Sequence, residues 1–261
     1  MKTHRSRMLL GLGLLYCLAA SAIASTPSSF QSNYRPLGLP VMAQVQLAGS
    51  DSQSQAFQAL APGYVSYIQK MLPEGVAFTG SGLYQLDPRK LYFMFSYAPR
   101  VYYVYEGACY NNALGATIAT ASSPTNQVLS GNTFTIFPFV HSSIGPVCTT
   151  GSGKRSTTEP LILGDWVQLP TVNAGQQLAF FVMADMNSSS VPARTYYNGS
   201  SNNPDNFQHL VAFLPDQSQY IIIGFEDMFN GGDKDCNDVM FVVDVGPNNA
   251  AALRNSSTLP Q

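Results

Sequence analysis

Short apolar runs, separated by turn-forming residues, constrain the fold of this chain most strongly. From Leu91 onward, stretches rich in Tyr, Phe, Val, Ile and Thr alternate with stretches rich in Gly, Asn, Pro and Ser. The predicted strands are 91–97, 100–106, 115–120, 133–140, 160–168, 177–184, 209–214, 219–225 and 239–245. Strands this short, with no helical pattern between them, predict an all-β fold: an antiparallel β-sandwich or jelly-roll-like domain.

A helical lead-in precedes these strands. Residues 25–50 are rich in Ser, Gln, Gly and Pro and predict a tether. Apolar side chains then recur every three or four residues, at Phe57, Leu60, Tyr64, Ile68 and Met71. Because Pro62-Gly63 interrupts this pattern, we expect two short helices. We therefore divide the chain into residues 1–24, a tether and helical lead-in at 25–90, a β-sandwich domain at 91–246 and a tail at 247–261.

The first 24 residues are typical of a secretory signal peptide. Three basic residues precede the apolar run 8–20, which ends in small residues at Ala22-Ile23-Ala24. No second apolar stretch of membrane length follows, so we expect an exported protein, periplasmic or extracellular, that is not inserted in the membrane after cleavage. Cleavage changes the formal net charge from -2 to -5. Without a basic stripe to neutralise phosphates, we expect no nucleic-acid partner.

One acidic segment stands out in a chain of which only 11% is charged: GFEDMFNGGDKDCNDVMFVV, residues 224–243. Its apolar ends are predicted strands, and Gly231-Gly232 lets the connection between them bend. The candidate ligands on that connection are Glu226, Asp227, Asp233, Asp235, Asn237 and Asp238. Oxygen ligands in a flexible loop favour calcium over magnesium or zinc. The alternative is a solvated turn in which Asp and Asn cap backbone groups.

The same segment resembles the signature G-F-E-D-x(3)-G-G-D-x-D-[YF]-N-D-V-x-F of a bacterial family, domain of unknown function 4114. VYYVYEGACYNNALG, residues 101–115, also resembles a segment found in longer members, so the similarity spans roughly 91–246. The resemblance implies one secreted β-domain with a calcium loop, as in surface proteins and adhesins, and implies no reaction. It leaves two roles open for Glu106 and Asn112, as ligands or as groups that hold backbone amides. His209 also matches, and we expect it to be structural.

Three cysteines remain after the signal peptide, at positions 109, 148 and 236, and they cannot all pair within one chain. A Cys109–Cys148 disulfide would join two strand ends. The rival pairing is Cys109–Cys236, because both cysteines replace residues that are usual in the family motifs. A third interpretation of Cys236 is a small buried hydrophobic residue.

No motif in the sequence selects a catalytic mechanism. There is no G-x-S-x-G, H-E-x-x-H or phosphate-binding glycine loop, so we expect no enzyme; the enzymatic alternative is glycoside hydrolysis by paired carboxylates. We expect an adhesion module that binds a glycan or a surface protein, with residues 193–207 as recognition loop or as an ordinary connection. The other non-catalytic interpretation is an envelope protein that calcium only stabilises. The sequence indicates no oligomeric state.

Overall fold

The computed structural model describes residues 30–79, 85–120, 132–142, 153–187 and 191–255. The signal peptide predicted at 1–24 lies outside them. The described strands are β1 (Gln85–Leu86), β2 (Arg100–Tyr105), β3 (Ala113–Thr120), β4 (Thr133–Phe137), β5 (Trp166–Gln168), β6 (Gln176–Met186), β7 (Pro192–Tyr197), β8 (Leu210–Phe213), β9 (Tyr220–Phe225) and β10 (Val239–Asp244). The helices are α1 (Ser52–Met71) and α2 (Pro247–Asn255).

These strands form two antiparallel sheets, so the predicted all-β sandwich is confirmed. The larger sheet has the order β1-β8-β9-β10-β2-β5, and the smaller has the order β4-β3-β6-β7. Aromatic side chains meet between the sheets: the ring centroids of Phe180 on β6 and Phe241 on β10 are 5.0 Å apart. Tyr103 on β2 similarly contacts Phe137 on β4. The two inner faces thus share one hydrophobic core.

The central strands of the larger sheet are apolar along almost their whole length, in keeping with the cover on both of their faces. On β9, Ile221 and Ile223 face the core between the sheets, whereas Ile222 packs against α1. Strand β10 alternates in the same way. Phe57 of α1 anchors the helix on this outer face, with its ring stacked 4.0 Å from that of Tyr102. The molecule therefore has three layers: helix, larger sheet and smaller sheet.

Helix α1 runs without interruption through Pro62, so the prediction of two short helices is wrong. Asp51 caps its first turn by accepting a hydrogen bond from the backbone N of Ser54. The buried face of the helix carries Phe57, Ala61 and Ile68, whereas Pro62 lies on the exposed face. The carbonyl that loses its hydrogen-bond donor to the proline ring can therefore be hydrated, and packing against the sheet outweighs the break.

Several other boundaries differ from the prediction. Segment 91–97 is not a strand: it forms isolated bridges, and the Asn249 side chain accepts hydrogen bonds from the backbone N of Met94 and of Phe95. Predicted strand 160–168 shortens to β5. The first residues of segment 193–207 belong to the edge strand β7, which begins at a proline, as an edge strand tolerates. Residues 247–255 of the predicted tail form α2.

The predicted tether packs on the sandwich where the structure describes it. Val45 is buried in the core, and Gln46 forms an antiparallel bridge with Trp166. Tyr34 contacts Phe139 on the outer face of the smaller sheet, with ring centroids 5.2 Å apart. Among the described residues, no helix combines the length and apolar character needed to cross a membrane.

The contact between α1 and the larger sheet provides a test of the three-layer arrangement. We expect Phe57→Ala to lower the free energy of unfolding by about 3–5 kcal/mol, because it removes a fully buried ring. Leu60→Ala on the same helix is the control, since Leu60 is 48% exposed and should change stability by less than about 0.5 kcal/mol. Urea denaturation measures both; equal effects would contradict the assigned buried face.

Candidate metal site

The hairpin of β9 and β10 brings the predicted acidic residues to one end of the larger sheet. Phe225 at the end of β9 pairs with Val239 at the start of β10. Glu226 and Asp238 therefore leave the sheet side by side. The backbone N of Asp227 donates a hydrogen bond of 2.8 Å to Asp238 Oδ2, which closes the base of the connection.

Three of the six predicted ligands form what we call the inner cluster: Glu226, Asp227 and Asp238. One carboxylate oxygen from each lies within 4.8 Å of the others. Glu226 is 1% exposed and Asp227 is 3% exposed. Glu226 Oε1 accepts a hydrogen bond from the backbone N of Met228, but Oε2 is buried and has no hydrogen-bond partner. A buried carboxylate oxygen without a partner is costly and marks a place where a ligand fits.

The electrostatics of the inner cluster disfavour three negative charges. Burial raises the pKa of all three carboxyl groups, and for Asp238 the nearby carboxylates of Asp227 and Glu226 raise the pKa further. Within the described residues, no ion pair joins any of the three to a lysine or arginine. Either protons or a cation must therefore balance these carboxylates.

Two further predicted ligands lie in a separate outer cluster, which consists of Asp233, Asp235 and Glu74. Asp233 and Glu74 are exposed. Asp235 is buried, and both of its oxygens are occupied: Oδ1 accepts from the backbone N of Asn237 and Oδ2 from that of Gly75. Glu74 lies in no recognisable motif, and the chain after α1 brings it alongside the acidic connection. Phe78, in the same stretch, donates its backbone N–H to the carbonyl of Lys234.

Asn237, the sixth predicted ligand, is buried, and its side chain holds the acidic connection against α1. Its Nδ2 donates to the carbonyl oxygen of Leu72 at the end of α1, 3.3 Å away. Gly107 lies directly against it, so that a Cβ at position 107 would come within 2.1 Å of Asn237 Oδ1. Asn237 thus joins the acidic connection to α1 and to the chain after β2.

In the upstream segment, the side chain of Asn112 bonds to the inner cluster, and Glu106 lies nearby. Asn112 Nδ2 donates a 2.6 Å hydrogen bond to Asp227 Oδ2. Glu106 lies outside the inner cluster: its Oε2 accepts from the backbone N of Ser142, and its Oε1 lies 3.5 Å from His141 Nδ1. Burial raises the pKa of Glu106 to about 9. Of the two open roles, the structure gives Glu106 a contact with a backbone amide and Asn112 a contact with a candidate ligand.

His209 links the inner cluster to the loop after β7. The ring is fully buried and stacks on Tyr196, with centroids 3.6 Å apart. Nδ1 lies 2.8 Å from the carbonyl oxygen of Glu226, and Nε2 lies 3.0 Å from Asp205 Oδ2. Asp205 also accepts a hydrogen bond from the backbone N of Asn230. Burial lowers the pKa of His209, and the contacts make it a bridge between two loops.

Cys236 is a free, buried thiol, so the rival Cys109–Cys236 pairing is wrong. Its side chain packs in the cluster between α1 and the larger sheet, as a small hydrophobic residue does. Cys148 lies outside the described residues, and the Cys109–Cys148 disulfide stays a prediction.

The comparisons with known proteins agree with the resemblance at the acidic segment. Residues 172–246 match the model of a family described as Domain of unknown function (DUF4114). The matched part contains β6 to β10 and the whole inner cluster. No curated protein and no solved structure matches the chain.

The close contact at Gly107 predicts a steric effect next to the site. Gly107→Ala places a methyl group against Asn237, and we expect it to lower the free energy of unfolding by about 1–3 kcal/mol. Gly63→Ala is the control: a Cβ there has open space on α1 and should raise stability by about 0.5–1 kcal/mol. Thermal melts of both variants measure the difference, and an unchanged Gly107→Ala protein would contradict the described packing.

A second prediction concerns the thiols. The folded protein without residues 1–24 should not react with a thiol reagent if Cys109 pairs with Cys148, because the remaining thiol, Cys236, is buried. After denaturation without reductant, one thiol per chain should react if Cys109 pairs with Cys148. Three reactive thiols per chain would contradict that disulfide.

Proposed function

We propose that this chain is an exported, non-catalytic β-sandwich protein that binds calcium in the inner cluster and serves as an adhesion or recognition module for a glycan or a surface protein. One observation carries the calcium proposal. The inner cluster places three buried carboxylates within 4.8 Å of one another, and Glu226 Oε2 among them has no hydrogen-bond partner. A divalent cation would offset two of the three negative charges and bind the unpartnered oxygen.

The donor atoms favour calcium over other divalent cations. Glu226, Asp227 and Asp238 offer only oxygen, the type of donor that calcium and magnesium prefer. Zinc favours nitrogen and sulfur donors, and the Cys236 thiol is buried among apolar residues between α1 and the larger sheet. Calcium accepts irregular arrangements of carboxylates in a loop, whereas magnesium requires a near-ideal octahedron and retains water.

The surrounding contacts support a recognition role without catalysis. His209 and Asp205 bond the inner cluster to the loop after β7, so an ion could order a surface loop that contacts a partner. Backbone amides of Asp227 and Met228 donate to Asp238 and Glu226, and a bound ion would occupy the same carboxylates, so we expect them not to act as an acid and base pair for hydrolysis.

A purely structural role for calcium is the second candidate. It is favoured by the position of β9 and β10 in the interior of the larger sheet, where both strands are paired on each side. An ion that fixes the end of this hairpin would stabilise the whole sheet. If calcium raises the melting temperature but does not change ligand affinity, its role is structural. If ligand affinity requires calcium, the ion takes part in recognition.

We expect calorimetry on chelator-treated protein to show calcium binding, with much weaker magnesium binding. Asp227→Asn combined with Glu226→Gln should abolish the calcium heat, because the pair supplies two of the three inner carboxylates. Asp216→Asn is the control, an exposed acid remote from the cluster.

Variants of the outer cluster test whether the ion binds there instead of in the inner cluster. Asp233→Asn combined with Asp235→Asn should weaken calcium binding less than the inner pair does. Loss of binding only in the outer variant, or no calcium heat in the parent protein, would overturn the proposed site.

Calcium stabilisation should depend on pH. The folded carboxyl groups have raised pKa values, so the metal-free fold retains protons that the unfolded chain releases above about pH 4. Stability of the metal-free protein should therefore fall as pH rises through those pKa values. Calcium replaces the protons, and at a hundred times its dissociation constant it should add about 2.7 kcal/mol.

Melting curves with chelator and with calcium, at pH 5 and at pH 8, measure this dependence. We expect a larger calcium shift at pH 8. An equal shift at both values would contradict replacement of protons by the ion.

A further inference from the structure

We propose that a neutral saccharide binds in a cavity at the end of β9 that is opposite the inner cluster. The proposal rests on the recognition role proposed above and names its ligand class and site. The cavity has a volume of about 550 Å³ and lies where α1, the turn between β8 and β9, and α2 meet. Small-molecule sites have volumes of about 300–1,000 Å³.

One wall of this cavity is aromatic and rigid. The rings of Tyr64 and Tyr220 meet edge to face, with centroids 5.8 Å apart. Phe57 stacks behind Tyr64, and the Tyr64 hydroxyl is 2.7 Å from Ser218 Oγ. Leu60 extends the same wall and is 48% exposed. A preformed wall of this kind can pack against the C–H face of a sugar ring without an ordering cost.

The other side of the cavity is polar. Asp216 and Gln217 are exposed at the turn between β8 and β9. The Arg254 guanidinium is held by the carbonyl oxygens of Pro215 and Ser218, to which it donates. Its Nε is buried and has no hydrogen-bond partner. The lining therefore includes an acceptor at Asp216, a donor at Arg254 and an amide that does both.

This combination selects the ligand class. A phosphate or carboxylate would satisfy Arg254 but would face the negative charge of Asp216. A wholly apolar ligand would cover the Asp216 carboxylate and the Gln217 amide without offering them a hydrogen bond. Hydroxyl groups both donate and accept, and a sugar ring also offers an apolar face for Tyr64 and Tyr220. A neutral saccharide satisfies all of these groups at once.

The cavity is separate from the candidate metal site. Tyr220, in the cavity, is the first residue of β9, and Phe225, beside the inner cluster, is the last. The five residue steps between them span about 17 Å. The saccharide would therefore not contact the ion, and its binding should persist when calcium is chelated. This independence allows the two proposals to fail separately.

The test applies the mature protein to an array of neutral oligosaccharides, with sialylated and sulfated glycans alongside. The affinity of the best neutral glycan is then measured for the parent and for two matched variants. Gln217→Gly removes a side chain from the cavity, and Asn206→Gly removes one from the loop after β7. Both residues are exposed and have positive φ, 56° and 58°, so glycine fits each backbone without strain.

We expect Gln217→Gly to weaken glycan binding at least tenfold with an unchanged melting temperature. Asn206→Gly and added chelator should leave the affinity within twofold. The proposal is overturned if the array shows no neutral glycan binding. It is also overturned if Asn206→Gly or chelator abolishes binding while the cavity variant retains it. Saccharide binding without any calcium heat would uphold the cavity and refute only the metal site.

Discussion

Repulsion among the three carboxylates of the inner cluster is the constraint around which one end of the sandwich is arranged. At a separation of 4.8 Å and an effective dielectric constant near 20, two ionised carboxylates repel by roughly 3 kcal/mol. The fold holds them there because Glu226 and Asp238 directly follow and precede paired residues of β9 and β10. Ordered strands buried on both faces cannot move apart to relieve the charge.

The contacts around this cluster come from distant parts of the chain. Asn112 bonds Asp227, His209 bonds the carbonyl of Glu226, and Asn237 bonds the end of α1. A change in the charge of the cluster would therefore act on the helix layer, on the smaller sheet and on the loop after β7 together. Such coupling accounts for how one ion could influence both stability and the surface loops.

Much of this arrangement follows from local sequence patterns. The runs at β9 and β10 are apolar and turn-bounded, and the acidic residues between them necessarily share a loop. Other features depend on distant contacts: Glu74 joins Asp233 and Asp235 only because α1 packs beside the loop. Five of the six predicted ligands divide into two clusters because of the curl of the connection, which spacing along the chain does not specify. Likewise, α1 continues through Pro62 because the sheet stabilises its buried face.

A crystal structure of the mature protein grown with calcium tests the central claim most directly. The account predicts an ion bound by oxygens of Glu226, Asp227 and Asp238 at about 2.3–2.6 Å, with Glu226 Oε2 among its ligands. An empty inner cluster at saturating calcium, or an ion held only by Glu74, Asp233 and Asp235, would contradict it.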